Sequence, residues 1–341
     1  MAQKRVTIQQ IADACALSRN TVSKVFNQRG SVPESTRQFV LAKARELGYF
    51  SRTLNAAPRE EGGAIAVLSW SNPLNHHFGS MLMKAFNDAV CRWGYSVQMY
   101  ELSARELAER RLPERVSPGS VVGVLCIELF DRGFIGMLSE LGLPVVSVDA
   151  WCEANRSLLP CDVITMENVA SVMAVTRQLI DAGARRLGFV GDVRHCNSFH
   201  ERWGGFCAAL RDAGLQPDPR LCIQAKDGSQ YADPGWTLAQ LKAMPRLPDA
   251  FVCANDYHAV KLMQALKKKG LRIPDDVMVT GFDNTPESAV IEPALTTVHI
   301  PSSEIGVQAA ELLLRRIRTP GRPYSLSYVQ TTPIFRESSR K

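Results

Sequence analysis

The sequence predicts an α/β protein in which a small helical N-terminal unit precedes two doubly wound parallel-sheet subdomains. Three observations carry that expectation. The net positive charge is confined to the first sixth of the chain. Helix start signals crowd the first fifty residues. From Ala64 onward, short apolar runs alternate with amphipathic segments, and the whole alternation occurs twice. With 341 residues, 45% of them hydrophobic, the chain can bury at least two conventional cores.

Residues 1–60 hold ten Lys or Arg against four acids, so the formal net charge of +6 lies entirely there and the remainder is balanced. Phosphate neutralisation dominates nucleic-acid affinity, so a small basic module joined to a neutral body suggests a DNA reader with a separate sensing domain. In the first helix Thr7 is the cap, and Ile8, Ile11, Ala12 and Ala14 return at helical spacing. Ser18 caps a second helix whose stripe is Val22, Val25 and Phe26, leaving Arg19, Asn20, Thr21, Ser23 and Lys24 on other faces. Joined by Ala16-Leu17-Ser18, the two make a helix-turn-helix. A third helix starts near Pro33, with Phe39, Val40, Ala44 and Leu47 as its expected buried stripe and Gly48 as its stop.

In this geometry Arg19 and Lys24 can read guanine and Asn20 adenine, while Thr7, Ser18 and Thr21 hold phosphates. Asn27, Arg52 and Leu54 complete the expected DNA-facing set.

The run TIQQIADACALSRNTVSKVFNQRGSVPESTRQFVLAKARELGY resembles the headpiece of the LacI/GalR family of bacterial transcriptional repressors. Gln10 replaces the usual acid before Ile11, Ala16 the usual turn glycine and Lys24 the usual arginine; lysine lacks arginine's bidentate fork for guanine. The family's linker forms a hinge helix that wedges a leucine into the minor groove; here Pro58 stands at the wedge position, leaving Leu54 as the apolar candidate.

In the body, strands are expected at 64–69, 96–100, 121–127, 145–148, 187–190, 221–224, 251–254 and 277–280. Helices are expected near 79–93, 103–112, 131–141, 167–182, 201–213, 235–243 and 256–269. Ligands in such folds bind beyond the carboxyl ends of strands. The segments around Asp149, Glu167-Asn168, Arg202, Asn255, Asp283 and Pro293–Val298 continue the resemblance along the whole chain, implying a periplasmic-binding-protein-like domain. It implies a headpiece at 1–49, a linker at 50–63 and an effector and dimerisation domain at 64–341. The first subdomain is expected at 64–163 plus 294–322 and the second at 164–293 plus 323–341, with a helix near 302–318 returning to the first and the last strand, 325–332, to the second.

The resemblance also places Asp149, Arg202, Asn255 and Asp283 at effector contacts. Carboxylates, an amide and one arginine suit a polyhydroxylated ligand, a sugar or sugar derivative. Trp70, Ser71, Asn72 and Phe78 lie in the loop after the first strand, about four residues longer than the family pattern, and Trp151 is a second candidate aromatic wall. A homodimer on palindromic double-stranded operator DNA is expected, because one half-site supports only weak binding.

No apolar stretch approaches the roughly 20 residues of a membrane span, and the N-terminus has no signal-peptide pattern, so the expected location is the cytoplasm. The nine cysteines form no CxxC or CxxH and read as reduced thiols; no metal or cofactor is expected, and adjacent His76 and His77 find no third ligand. An enzyme is not expected, because GxGxxG, Walker and GxSxG patterns are missing. The alternatives are a cytoplasmic sugar-binding protein and a Rossmann-type metabolic enzyme. No heptad run follows Arg336, so no zipper tail is expected.

Overall fold

The computed structural model describes residues 7–27, 32–46, 62–75 and 77–340. It comprises two compact units, 1–62 and 63–341. The linker residues Arg52, Leu54 and Pro58, together with Leu47, Gly48 and His76, lie outside the described residues.

In the N-terminal unit, α1 (Ile8–Cys15) opens with a capping box: Gln10 N–H donates to Thr7 Oγ1 and Thr7 N–H to Gln10 Oε1. Ala16 ends it in the left-handed region at φ 53°. The next helices are α2 (Arg19–Asn27) and α3 (Glu34–Glu46). Ile11, Ala12, Cys15, Val22, Val25, Val40 and Ala44 form their shared core. Phe39, expected in that core, is 53% exposed. Val40 and Ala44, four apart, set the buried face of α3, and a residue one step before Val40 points about 100° away.

The body has two lobes. The first is a six-stranded, all-parallel sheet in the order β2-β1-β3-β4-β5-β10, from β1 (Ala64–Ser69), β2 (Ser96–Glu101), β3 (Gly123–Ile127), β4 (Val145–Val148), β5 (Asp162–Met166) and β10 (Leu326–Val329). Its helices are α4 (His77–Cys91), α5 (Ala104–Glu109), α6 (Arg132–Glu140) and α12 (Ser302–Arg318). The return helix α12 lies against α4 at close range: a Cβ on Gly306 would sit 2.3 Å from the Leu82 carbonyl oxygen. Central strands are buried almost throughout and mostly apolar, as both covered faces require, with Ser69, Ser147, Asp162 and Thr165 as buried polar exceptions. β2 is an edge strand with Ser96, Gln98, Met99 and Glu101 exposed.

The second lobe holds the parallel strands β6 (Leu187–Val190), β7 (Ala250–Cys253) and β8 (Met278–Thr280). Its helices are α7 (Val169–Asp181), α8 (Asn197–Asp212), α9 (Pro234–Ala243), α10 (Asp256–Lys268) and α11 (Pro286–Val290). The strand expected at 221–224 shrinks to Ile223, bridged to Val190. An antiparallel ribbon of β9 (Thr297–His299) and β11 (Thr332–Ile334) joins the crossovers.

The last-strand assignment is corrected. Leu326–Val329, expected in the second lobe, pairs with β5 in the first sheet. The wholly buried β5 needs partners for its outer backbone groups, and obtains them where Val163 N–H donates to Ser325 O and Glu167 N–H to Val329 O. The expected boundary at 163 likewise cuts through β5. From Thr331 onward the chain returns to the second lobe: Thr331 Oγ1 lies 2.7 Å from Ser171 Oγ of α7, β11 pairs with β9 alongside Thr280 and Asp283, and Ser338 Oγ donates to Val279 O at 2.7 Å.

Candidate DNA-binding helix and interlobe cleft

On α2 the buried side is Val22 and Val25, while Arg19, Asn20 and Lys24 are exposed together on the outside. Ser18 Oγ accepts from Thr21 N–H at 3.0 Å and lies 2.8 Å from Thr21 Oγ1. Ser18, Thr21 and Thr7 therefore use hydroxyl capacity locally to fix the helix starts, and each hydroxyl retains a further bonding position. Ser23 is half-buried and Asn27 is the last residue of α2.

In the body, Asp149 stands just past β4 at φ 58°, with its carboxylate taking Ala150 N–H at 2.8 Å. Burial pushes its carboxyl pKa up; Ser198, the Ala150 amide, the Arg202 charge and Cys196 oppose that. Ser198 and Cys196 come from the start of α8 in the other lobe, so Asp149 is a first-lobe group met by second-lobe donors.

Arg202, on α8, is 3% exposed. Nε donates to Asn168 Oδ1 at 3.0 Å, Nη1 to Ala254 O at 2.6 Å, and Nη1 lies 3.6 Å from Asp283 Oδ1. Asp283 follows β8 at φ 118°, a conformation that costs an L-residue about 1–3 kcal/mol. Burial raises its carboxyl pKa; Arg202 lowers it, while Asp256 and Glu128 raise it further. Asn255 caps α10, accepting from His258 N–H at 2.9 Å. Asp149, Arg202, Asn255 and Asp283 are thus brought to one region, where both lobes offer strand ends.

The loop after β1 is less uniform. Ser71 Oγ donates to Glu128 Oε2 at 3.0 Å, Asn72 Oδ1 accepts from Leu74 N–H within a local turn, Trp70 is 50% exposed, and Phe78 packs against the first-lobe core. Trp151 is buried among first-lobe core side chains, with Nε1 3.4 Å from Ser157 Oγ.

Sequence reading missed several groups. Glu128 directly follows β3 at φ 52°, and its place beyond a strand's carboxyl end was the available signal. Asp227 lies between two imidazoles, 3.3 Å from His258 Nε2 and 3.7 Å from His195 Nδ1. Burial raises the Asp227 carboxyl pKa, but His258, His195 and the Gly228 amide outweigh it and the net shift is downward. His195 also meets Phe130 of the first lobe edge-on, with ring centroids 5.1 Å apart. Glu201 and Asn168 are buried beside Arg202. Loop residues remote in sequence leave no periodicity, so this cluster had no pattern to reveal it.

All nine cysteines are unpaired, and the described residues contain no group of three or more ligands that could hold a metal. No described helix is long and apolar enough to cross a membrane.

Residues 7–52 match the bacterial regulatory proteins of the lacI family, and residues 176–339 match a periplasmic binding protein-like domain. Transcriptional repressors named PurR from Pasteurella multocida and Histophilus somni are 27% and 26% identical, over 97% of this chain and 98% of theirs. Among solved structures, a complex of the transcriptional regulator CelR with cellobiose is 25% identical at a TM-score of 0.72, covering 98% of this chain and 100% of that one. A lac repressor dimer bound to operator and the anti-inducer ONPF is 22% identical at 0.67, covering 99% and 100%, and supports the fold. These relatives are regulators and repressors, not enzymes. Basic recognition helix, two-lobed body and full-length likeness agree: the chain belongs to the LacI family of bacterial transcriptional repressors, DNA-binding proteins with a helix-turn-helix and a periplasmic-binding-protein-like domain.

Proposed function

We propose that this repressor binds a palindromic operator as a cytoplasmic homodimer and that a small polar metabolite, a sugar or sugar derivative, held between the lobes sets its affinity. The observation that carries this reading is the convergence of Asp149 from the first lobe with Arg202, Asn255 and Asp283 from the second, all just past strand ends or at the adjoining helices. Paired acceptors beside a fixed guanidinium match vicinal hydroxyls, each of which donates and accepts. Cellobiose in the CelR complex is a ligand of that chemistry. A ligand that contacts both lobes favours one lobe orientation over another, and operator affinity follows by linkage.

The test is calorimetry and operator binding with cellobiose, a hexose phosphate and a free nucleobase. A sugar that binds and shifts operator affinity, with both effects lost in Asp283→Ala, supports the reading. Binding of the nucleobase alone replaces the sugar by a planar heterocycle, and ligand binding unaffected by Asp283→Ala moves the site elsewhere.

A further inference from the structure

Glu201 and Arg202 are consecutive residues of α8 and both are buried, at 6% and 3% exposure. Asn168, 1% exposed at the first crossover, bridges them: its Nδ2 donates to Glu201 Oε2 at 2.9 Å, and its Oδ1 accepts from Arg202 Nε at 3.0 Å. Between a carboxylate and a guanidinium the amide has one workable orientation, since each end meets only its complement. The other Glu201 oxygen faces the first lobe. Oε1 accepts from Tyr328 Oη at 2.5 Å and from Asn155 Nδ2 at 3.1 Å. Tyr328 is on β10 and Asn155 follows β4. Burial, then Glu201 itself, pushes the Tyr328 phenol pKa up, so the hydroxyl stays a donor.

A continuous chain of hydrogen bonds therefore runs from two first-lobe donors through Glu201 and Asn168 to Arg202, which faces Asp283. We propose that Glu201 is a positioning residue that couples the orientation of the lobes to the cleft arginine. This inference rests on the reading of Arg202 as part of the effector wall. One turn earlier on α8, Asn197 is 1% exposed, and its amide lies within reach of the Tyr328 hydroxyl. Asn197 and Glu201, four apart on one face of α8, therefore both neighbour Tyr328, and a small shift of the lobes can pass the hydroxyl from one to the other. The ligand then acts by holding or releasing Arg202, and the first lobe responds through Glu201.

The test needs no ligand. Full-length protein is titrated by fluorescence anisotropy onto a palindromic duplex that the protein itself selects from a random-sequence library. Tyr328→Phe keeps the half-exposed ring and removes only the hydroxyl. It is expected to change operator Kd about fivefold, the size of one net hydrogen bond redistributed between two states. Glu201→Gln leaves one acceptor oxygen for donors on two sides and is expected to do at least as much. In the double variant the two factors should not multiply, because the hydroxyl has lost its acceptor. Arg202→Lys paired with Tyr328→Phe should show the same non-multiplicative behaviour at the far end of the chain.

A role confined to folding would move the unfolding midpoint and leave the Kd of folded protein unchanged. Should Glu201→Gln fail to fold, Asn155→Ala with Tyr328→Phe, two donors to one oxygen, provides the same cycle. A Kd within about twofold of wild type for Tyr328→Phe, or factors that multiply in either cycle, overturns the proposal. Failure of the cleft reading appears separately, as polar metabolites that leave the wild-type operator Kd unchanged.

Discussion

The Arg202 guanidinium carbon lies over the Phe282 ring, 3.6 Å from its centre, while Nη1 of the same group is 3.6 Å from the carboxylate of the next residue, Asp283. A planar cation is needed to stack on an aromatic face and still donate at its edge to Asn168 and Ala254. Arg202→Lys keeps the charge but gives up the stacking and the forked donation. It is expected to destabilise the body by about 1–3 kcal/mol and to abolish the response to ligand. Urea unfolding and operator binding measure the two losses; an unchanged unfolding midpoint would show that the stack contributes nothing.

Asp283 supplies a pH dependence of defined sign. Burial raises its folded-state carboxyl pKa above the unfolded value, Asp256 and Glu128 reinforce the rise, and Arg202 only partly offsets it. The folded state therefore binds more protons than the unfolded one above about pH 4, and stability from this group falls as pH rises from there toward the folded pKa. Asp283→Asn removes that loss, so its stability relative to wild type should grow across the same window. Denaturation at several pH values checks this, and parallel wild-type and variant curves contradict it.

Asn20 is exposed on α2 beside Arg19 and Lys24. Asn20→Ala is expected to lose about 1–3 kcal/mol of discrimination at one base pair per half-site, leaving non-specific binding and its steep salt dependence intact. Competition between operator and scrambled duplexes gives the answer. Equal losses on both remove Asn20 as a base reader.

Ala16 holds φ 53° at the end of α1, where its Cβ meets the steric penalty of the left-handed region. Ala16→Gly should stabilise the N-terminal unit by about 1 kcal/mol, since the relief of strain exceeds the added unfolded-state entropy. Thermal unfolding of the full chain, followed by hydrogen exchange in α1 and α2, would register it. Faster exchange there in the glycine variant would show that entropy wins.

The sequence by itself determined what is local. Helical spacing and caps fixed α1 and α2, because Thr7 and Ser18 satisfy amides only three residues away. Buried runs marked β1, β4 and β6 to both ends, since a parallel strand covered on both faces is largely apolar. The confinement of positive charge to one module pointed to DNA without any structure. Phe39 was misplaced because one apolar residue beside another cannot tell which of two neighbouring directions the core occupies.

What only the tertiary structure decided depends on partners far apart in the chain. Leu326–Val329 carries no mark of its lobe; it joins the first sheet because β5, 163 residues earlier, has backbone groups to satisfy there. Trp151 packs inward and Glu128 follows a strand at the cleft for the same reason: side-chain direction at a strand end is set by how its neighbours close around it. Arg202 could be matched from sequence, but its restraint by Asn168 and the tie from Glu201 to Tyr328 arise only where two crossovers and two lobes meet. Hydrogen bonds between such distant residues have no period, and folding alone brings them together.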